Sequence, residues 1–200
     1  MANFFKSVSS KQATNLTDKS GNLEDKYVVK AVWKETDSSK EVKAWEQDFL
    51  TIQLNRPEKG ITPPCIALNR SNGIAEEYPE GQEEYTYVPG DCSVGDLDGD
   101  GEYEIIVKWN PSNQTDNSYS GITGPVYLDA YKLSGKHLWR INLGKNIRAG
   151  SHYTQFMVYD FNGDGKAELV CKTAPGTVDG KGKRYSLVEM TRTKTGETWK

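Results

Sequence analysis

The sequence predicts an all-β chain, and three observations carry that prediction. No segment has the 3.6-residue periodicity of an amphipathic helix. Short alternating or apolar runs recur instead, separated by turns rich in Gly, Asn, Asp and Pro. A nine-residue stretch, Asp96-Leu-Asp-Gly-Asp-Gly-Glu-Tyr-Glu104, returns 64 residues later as Asp160-Phe-Asn-Gly-Asp-Gly-Lys-Ala-Glu168. The repeat extends beyond these loops, because Val94, Ile105, Val107 and Lys108 recur in register as Val158, Leu169, Cys171 and Lys172. Four short antiparallel strands per repeat resemble one blade of a β-propeller. The competing reading is a β-sandwich with two similar turns.

Taken in chain order, residues 1–26 are polar and aperiodic and are expected to be poorly ordered. Tyr27-Val-Val-Lys-Ala-Val-Trp33 alternates, with Tyr27, Val29 and Ala31 on one face of a half-buried strand. A polar turn over Glu35–Lys40 leads to a second strand near Glu41–Trp45. This pair looks like the last hairpin of a fibronectin type III-like β-sandwich, so residues 27–48 read as a remnant of one. Residues 49–84 hold a strand at Phe49–Leu54 and a proline-bearing connector over Asn55–Gln82. Residues 85–180 read as the first propeller blades. Val94 enters the first loop, Glu104–Trp109 leaves it, and Pro111–Gly124 is a polar insertion. Val126–Leu133 and Leu138–Leu143 are strands joined at Ser134-Gly135, and Gln155–Tyr159 and Glu168–Thr173 flank the second loop.

Each loop sets oxygen-bearing side chains at positions 1, 3, 5 and 9, and position 7 adds a backbone carbonyl. A hard cation such as Ca²⁺ takes six to eight oxygen ligands, and such a loop gathers them around one point. The candidate ligands are Asp96, Asp98, Asp100, Glu102 (through its carbonyl) and Glu104, then Asp160, Asn162, Asp164, Lys166 (through its carbonyl) and Glu168. Glycine at position 6 permits the sharp turn. These are not EF-hands, whose bidentate Glu at position 12 is replaced by Val107 and Cys171. A metal-free acidic turn is the alternative, although its carboxylates would repel one another. The loops suit a structural ion, and Ca²⁺ over Mg²⁺, which keeps several waters.

Composition excludes other classes. A net charge of −3 with no basic stripe gives nucleic acid no footing. No apolar run reaches membrane-spanning length, and the first residues lack the apolar stretch of a signal peptide. Cys65, Cys92 and Cys171 are odd in number and carry no Cys-x-x-Cys pair, which argues against disulfides or zinc. Cys92 and Cys171 sit in strand-like runs and are expected to act as small buried hydrophobes.

The stretch from Cys92 to Ser118, together with Gly124–Leu133, Leu138–Phe156 and the second loop through Gly180, closely resembles rhamnogalacturonan lyases of polysaccharide lyase family 11. The Tyr27–Thr62 region is similar to the segment before the propeller in that family. The resemblance implies a partial β-propeller, eight-bladed in the family, with bound calcium and a preceding fibronectin-like domain. It implies an enzyme outside the cytoplasm that cleaves pectic polysaccharide, rhamnogalacturonan I; the chain itself is expected to be a monomer. The implied chemistry is β-elimination: cationic groups neutralise the galacturonate carboxylate, a base takes the C5 proton, and the C4 oxygen leaves. Residues 181–200 stop resembling the family, and the chain is expected to be an internal fragment covering fewer than two blades.

Asn110, Asn113, Asp116 and Asn117 in the insertion could hydrogen-bond sugar hydroxyls, or serve as turn residues. Arg148 could pair with a uronate carboxylate, His152 could ligate or carry a proton, and Tyr153 lies beside them; alternatively they hold an inter-blade turn. His137, beside a hairpin turn, is expected to face solvent. Lys108 and Lys172 recur in register, which suits a structural role, and no catalytic base is assigned. Besides a truncated lyase, the sequence allows a non-catalytic calcium-stabilised module that binds polysaccharide or protein.

Overall fold

The computed structural model describes residues 17–32, 36–44, 46–47, 49–62, 65–68, 75–78, 84–118 and 121–186. All regular structure among these residues is β, as the missing helical periodicity predicts. The chain divides into two compact units, Met1–Thr51 and Ile52–Lys200.

The first unit contains β1 (Lys26–Tyr27), β2 (Lys30–Val32), β3 (Thr36–Ser38) and β4 (Val42–Lys43). They make one hairpin in two pieces, with β2 on β3 and β1 on β4. At the break, the Val29 N–H donates to Ser39 Oγ and the Ser39 N–H to the Val29 carbonyl. The expected half-buried face is corrected here: Tyr27, Val28, Val29 and Val42 are exposed. Among the described residues this hairpin has no second layer against which to bury them. Most of the expectation about residues 1–26, like Trp33 and Trp45, lies outside the described residues.

The second unit opens with an extended segment rather than the strand expected at Phe49–Leu54. Ile52 and Leu54 pack against the core without joining a ladder. The expected connector also holds structure. β5 (Gly60–Ile61) pairs with β8 (Glu84–Tyr85), and β6 (Cys65–Leu68) pairs with β7 (Ala75–Tyr78). Then β9 (Tyr87–Gly95), β10 (Glu104–Pro111), β11 (Tyr127–Tyr131) and β12 (His137–Asn142) form a four-stranded antiparallel meander. β13 (Phe156–Tyr159) and β14 (Glu168–Cys171) form a further hairpin. Residues 174–185 continue along the outer edge of β12, where Val178 bridges both Asn142 and Arg184.

Alternation along β10 and β11 divides the core between the two faces of the meander. Val107, Trp109 and Tyr131 join Tyr87 on one face. Leu128 joins Val126, Leu143 and Ala149 on the other, against Phe156, Leu169 and Cys171 of the next hairpin. That hairpin repeats the pairing of the meander, since Ile105 faces Val94 as Leu169 faces Val158.

Asp129 lies in the apolar first face with no exposed surface. Its oxygens accept hydrogen bonds from Trp109 Nε1 (2.9 Å), the Tyr131 hydroxyl (2.8 Å), and Arg140 Nε (2.7 Å) and Nη2 (2.6 Å). His137, expected to face solvent, is instead half-buried beside this group, with Nε2 3.6 Å from Asp129 Oδ1. A buried carboxylate is tolerable only when its lone pairs are filled in this way. Arg140 and Tyr131 also hold the Ile52–Asn55 segment, because Arg140 Nη2 donates to the Asn55 carbonyl and the Asn55 N–H to the Tyr131 oxygen. Asp129→Asn leaves a guanidinium without its anion and should lower unfolding free energy by about 3–5 kcal/mol, measured by urea titration. A loss below about 1 kcal/mol would mean that the group does not organise this face.

Candidate functional site

The two acidic loops have the same conformation, bond for bond. In the first, Asp96 Oδ1 accepts from the Gly99 N–H (2.6 Å) and the Asp100 N–H (3.1 Å), and Oδ2 accepts from Gly101 (2.8 Å). In the second, Asp160 does the same with Gly163 (2.7 Å), Asp164 (3.1 Å) and Gly165 (2.9 Å). The last acid closes each loop: Glu104 Oε2 accepts from Leu97 N–H (2.7 Å) and Glu168 Oε2 from Phe161 N–H (2.9 Å). Gly101 and Gly165 both have φ of +86°, a conformation that L side chains resist.

This geometry brings carboxylates together. Asp96, Asp98 and Glu104 each offer an oxygen within 4.8 Å of the others, as do Asp160, Asp164 and Glu168. Asn162 completes the second group, its Nδ2 donating to Glu168 Oε1 and its Oδ1 accepting from Asp164 N–H. Asp100 is exposed and stands outside the first group, its Oδ1 accepting from the Glu102 N–H (2.8 Å), while Glu102 and Lys166 are exposed at the seventh positions. Glu104 Oε1 is fully buried and has no hydrogen-bond partner. A hard cation coordinated by oxygen would satisfy it, so the donor set fits such an ion.

Besides Asn162 in place of Asp98, the loops differ in one further respect. Lys132, just after β11, carries its Nζ to 2.8 Å from Asp98 Oδ2, 3.2 Å from Asp100 Oδ2 and 3.3 Å from Glu104 Oε1. The last contact has ion-pair distance without hydrogen-bond geometry. Asp98 first, then Asp100, hold this ammonium above the usual lysine range. Sequence reasoning missed Lys132, which lies far along the chain from the loop it enters.

The loops also touch each other. The Ala167 N–H donates to the Asp96 carbonyl (2.7 Å), and the stem of Lys166 lies against Gly99. Gly95 allows this approach: a Cβ there would stand 2.7 Å from both Ala167 Cβ and Val158 Cγ1.

Asn110, Asn113, Arg148, His152 and Tyr153, among the candidate sugar contacts, gather at the opposite end of the strands. Asn110 stands six residues along β10 from Glu104, a separation of roughly 20 Å. A bulge opposite Lys108 exposes Gly90 to Asn110, whose Nδ2 occupies the space of the missing side chain. Asn110 Oδ1 and Asn113 Nδ2 are buried without partners, although Asn113 Oδ1 accepts from Gly124 N–H (3.0 Å). Arg148 Nη2 donates to the Asp116 carbonyl (2.7 Å), its Nε is unpartnered, and its guanidinium lies 5.9 Å from the Tyr153 ring centre. Lys172 Nζ lies 5.8 Å from the same ring. The Tyr153 hydroxyl is held by the Thr115 and Ala149 carbonyls. His152 is exposed, with Nδ1 3.4 Å from Asp116 Oδ2, and the Ser118 N–H foremost holds Asp116 below the usual carboxylate range.

Lys108 is sealed off from this rim, with 1% of its side chain exposed, and donates to Asp91 and to the Thr154 carbonyl (3.3 Å). The cysteines are corrected in part. Cys92 is exposed on β9, whereas Cys171 is half-buried and its thiol is pushed up to about 11 by burial. The Cys65 side chain lies outside the described residues.

A family model described as "Rhamnogalacturonan lyase family 11, C-terminal domain" matches residues 66–192, past the Gly180 at which the resemblance was expected to end. The chain is 52% identical over 173 residues to Rhamnogalacturonan exolyase YesX of Bacillus subtilis (strain 168), covering 86% of this chain and 26% of that protein. It is 51% identical over 174 residues to Rhamnogalacturonan endolyase YesW of the same organism, covering 86% and 25%. Among solved structures it is similar to that of exotype rhamnogalacturonan lyase YesX, with TM-score 0.67 and 50% identity over 86% of this chain and 26% of that one. It is similar to Bacillus licheniformis Rhamnogalacturonan Lyase PL11, with TM-score 0.66 and 50% identity over 86% and 27%. The chain therefore spans about a quarter of the length of the curated relatives it matches.

Gly95→Ala should destabilise the second unit by about 1–3 kcal/mol through overpacking between the loops. Chemical denaturation would measure the loss, and adding Ala167→Gly should recover part of it. If the double substitution recovers nothing, the close approach at Gly95 is not what the glycine provides.

Proposed function

The chain belongs to rhamnogalacturonan lyase family 11, and from that premise we propose that it forms part of a lyase cleaving the rhamnose–galacturonate backbone of pectin. The bond broken is C4–O of galacturonate, and the pair of electrons left by the C5 proton becomes the new C4=C5 double bond. The meander β9–β12 is read as one propeller blade and β13–β14 as the start of the next, supported by their shared register. The hairpin β1–β4 is read as the last hairpin of a fibronectin-like domain.

The observation that carries the reading of the site is the pair of buried, unpartnered amide atoms at the end of β10, Asn110 Oδ1 and Asn113 Nδ2. Amides already desolvated and unfilled gain on meeting a sugar hydroxyl, because their alternative is an unmade bond. Arg148 and Lys172 flank Tyr153 at the same end and supply the positive charge that a uronate carboxylate needs. Tyr153, with its hydroxyl spent on backbone carbonyls, offers its ring as a platform, and exposed His152 can donate to the substrate. The proton-abstracting group is not assigned to this chain.

Calcium is the cofactor proposed for both loops, held by Asp96, Asp98, Asp100 and Glu104 and by Asp160, Asn162, Asp164 and Glu168. Bound there, the ion would supply charge neutralisation that holds each strand–loop–strand closed. The distance along β10 separates such an ion from a uronate at Asn110, so its part in this region is structural.

Incubated with rhamnogalacturonan I, a lyase containing this chain should release ends bearing an unsaturated, ultraviolet-absorbing uronate. A digest whose products lack that chromophore would sink the lyase reading for this chain. Asn110→Ala should weaken oligosaccharide binding by roughly fivefold to a hundredfold, the range expected for one buried hydrogen bond; calorimetry would measure it. Calcium at a hundred times its dissociation constant should stabilise the fold by about 2.7 kcal/mol per site, and Asp96→Asn with Asp160→Asn should abolish the thermal shift.

A further inference from the structure

The two loops match in backbone and in the bonds accepted by Asp96 and Asp160, but Asn162 stands in the second where Asp98 stands in the first and gives its amide to Glu168. Among the described residues an ammonium group reaches the first loop and none reaches the second. Three oxygens of that loop, Asp98 Oδ2, Asp100 Oδ2 and Glu104 Oε1, lie 2.8–3.3 Å from Lys132 Nζ. Among the described residues no ion pair reaches Asp160, Asp164 or Glu168 of the second loop. Its own lysine, Lys166, leans away and lies along Gly99.

We propose that Lys132 is an internal counter-ion of the first loop, which must be displaced before that loop can hold a divalent cation, so that the second loop fills first. The inference rests on the calcium reading of both loops. Calcium binds oxygen at about 2.3–2.6 Å, so an ion sharing those oxygens would be forced close against the ammonium nitrogen. Like charges at that separation repel strongly, and more so where one wall is the buried Glu104. Lysine suits the task because its charge rides on a flexible stem, and Lys132 is partly exposed and has solvent to swing into. Glu104 Oε1 shows what the ammonium leaves undone: Lys132 neutralises it without completing a hydrogen bond. The loop is thereby kept closed when calcium is scarce, at the expense of affinity. Two loops of one backbone conformation would then respond to different calcium concentrations.

Calorimetric titration with Ca²⁺ tests this on the full chain carrying Asp160→Asn and Asp164→Asn, which silences the second loop. Adding Lys132→Met should tighten the remaining site by roughly tenfold, and Lys132→Gln should do the same. Unchanged or weaker binding in both variants would overturn the proposal, since a lysine that merely supports the loop would weaken the site when removed. In the unmutated chain, dimethylated with ¹³C at its lysines, saturating calcium should move the Lys132 resonance to the position of a free lysine; an unmoved resonance while the loop fills would overturn it independently. Calcium binding at neither loop of the unmutated chain would overturn the calcium reading and this proposal together, whereas binding at both with equal affinity would remove only the proposal.

Discussion

Three acids of the first loop, Asp96, Asp98 and Glu104, are held within 4.8 Å of one another where β9 passes to β10, and the rest of the meander follows from how that repulsion is contained. Backbone N–H groups contain part of it, with Asp96 alone receiving three. Asp160 solves the same problem with the same three bonds. What the backbone cannot supply is net positive charge. The first loop borrows that from Lys132, whereas among the described residues no cationic side chain pairs with Asp160 or Asp164. Once the loop closes, Glu104 and Gly95 face each other and the β9–β10 register is set. The inward-facing residues of β10 are then delivered to their two cores.

The same strand carries two chemistries at its two ends. At the loop end every donor is an oxygen anion. At the far end the groups are amides, a guanidinium and an aromatic ring, the equipment for neutral hydroxyls and a carboxylate. Between them Lys108 and Asp129 are buried charges that bind strands to one another. Both are filled by partners, which explains why neither reaches the rim.

The loops were legible because all their chemistry lies within nine residues, and strand alternation marked β9 to β14 because each is covered on at least one face. Legibility ended where a partner lies far away in sequence. Phe49–Leu54 has a strand's composition but finds no strand partner among the described residues, and Ile52 and Leu54 serve as packing. Tyr27 and Val29 alternate correctly around a layer that does not cover them. Cys92 sits in a true strand but faces outward. Lys132 and the Asp129 group were missed, though one signal was present: an aspartate within the apolar run Tyr127-Leu-Asp-Ala-Tyr131 has to find partners or remain in water. Asn110 and Asn113 could be read as polar, but that they are buried and unfilled needed the fold.

The Ile52–Asn55 segment has a consequence in time as well as in space. The hairpins of the second unit close over short stretches of chain, whereas Asn55 reaches Tyr131 across 76 residues and Arg140 across 85. Loop-closure entropy grows with the logarithm of length, so joining ends that far apart costs about 2 kcal/mol more than closing a nine-residue turn. The meander can therefore assemble before this strap arrives, and Asp129 spends that interval with Arg140 already in hand. Local opening should run in reverse: the strap lifts while the hairpins remain, uncovering the Trp109 face before the rest of the core loosens.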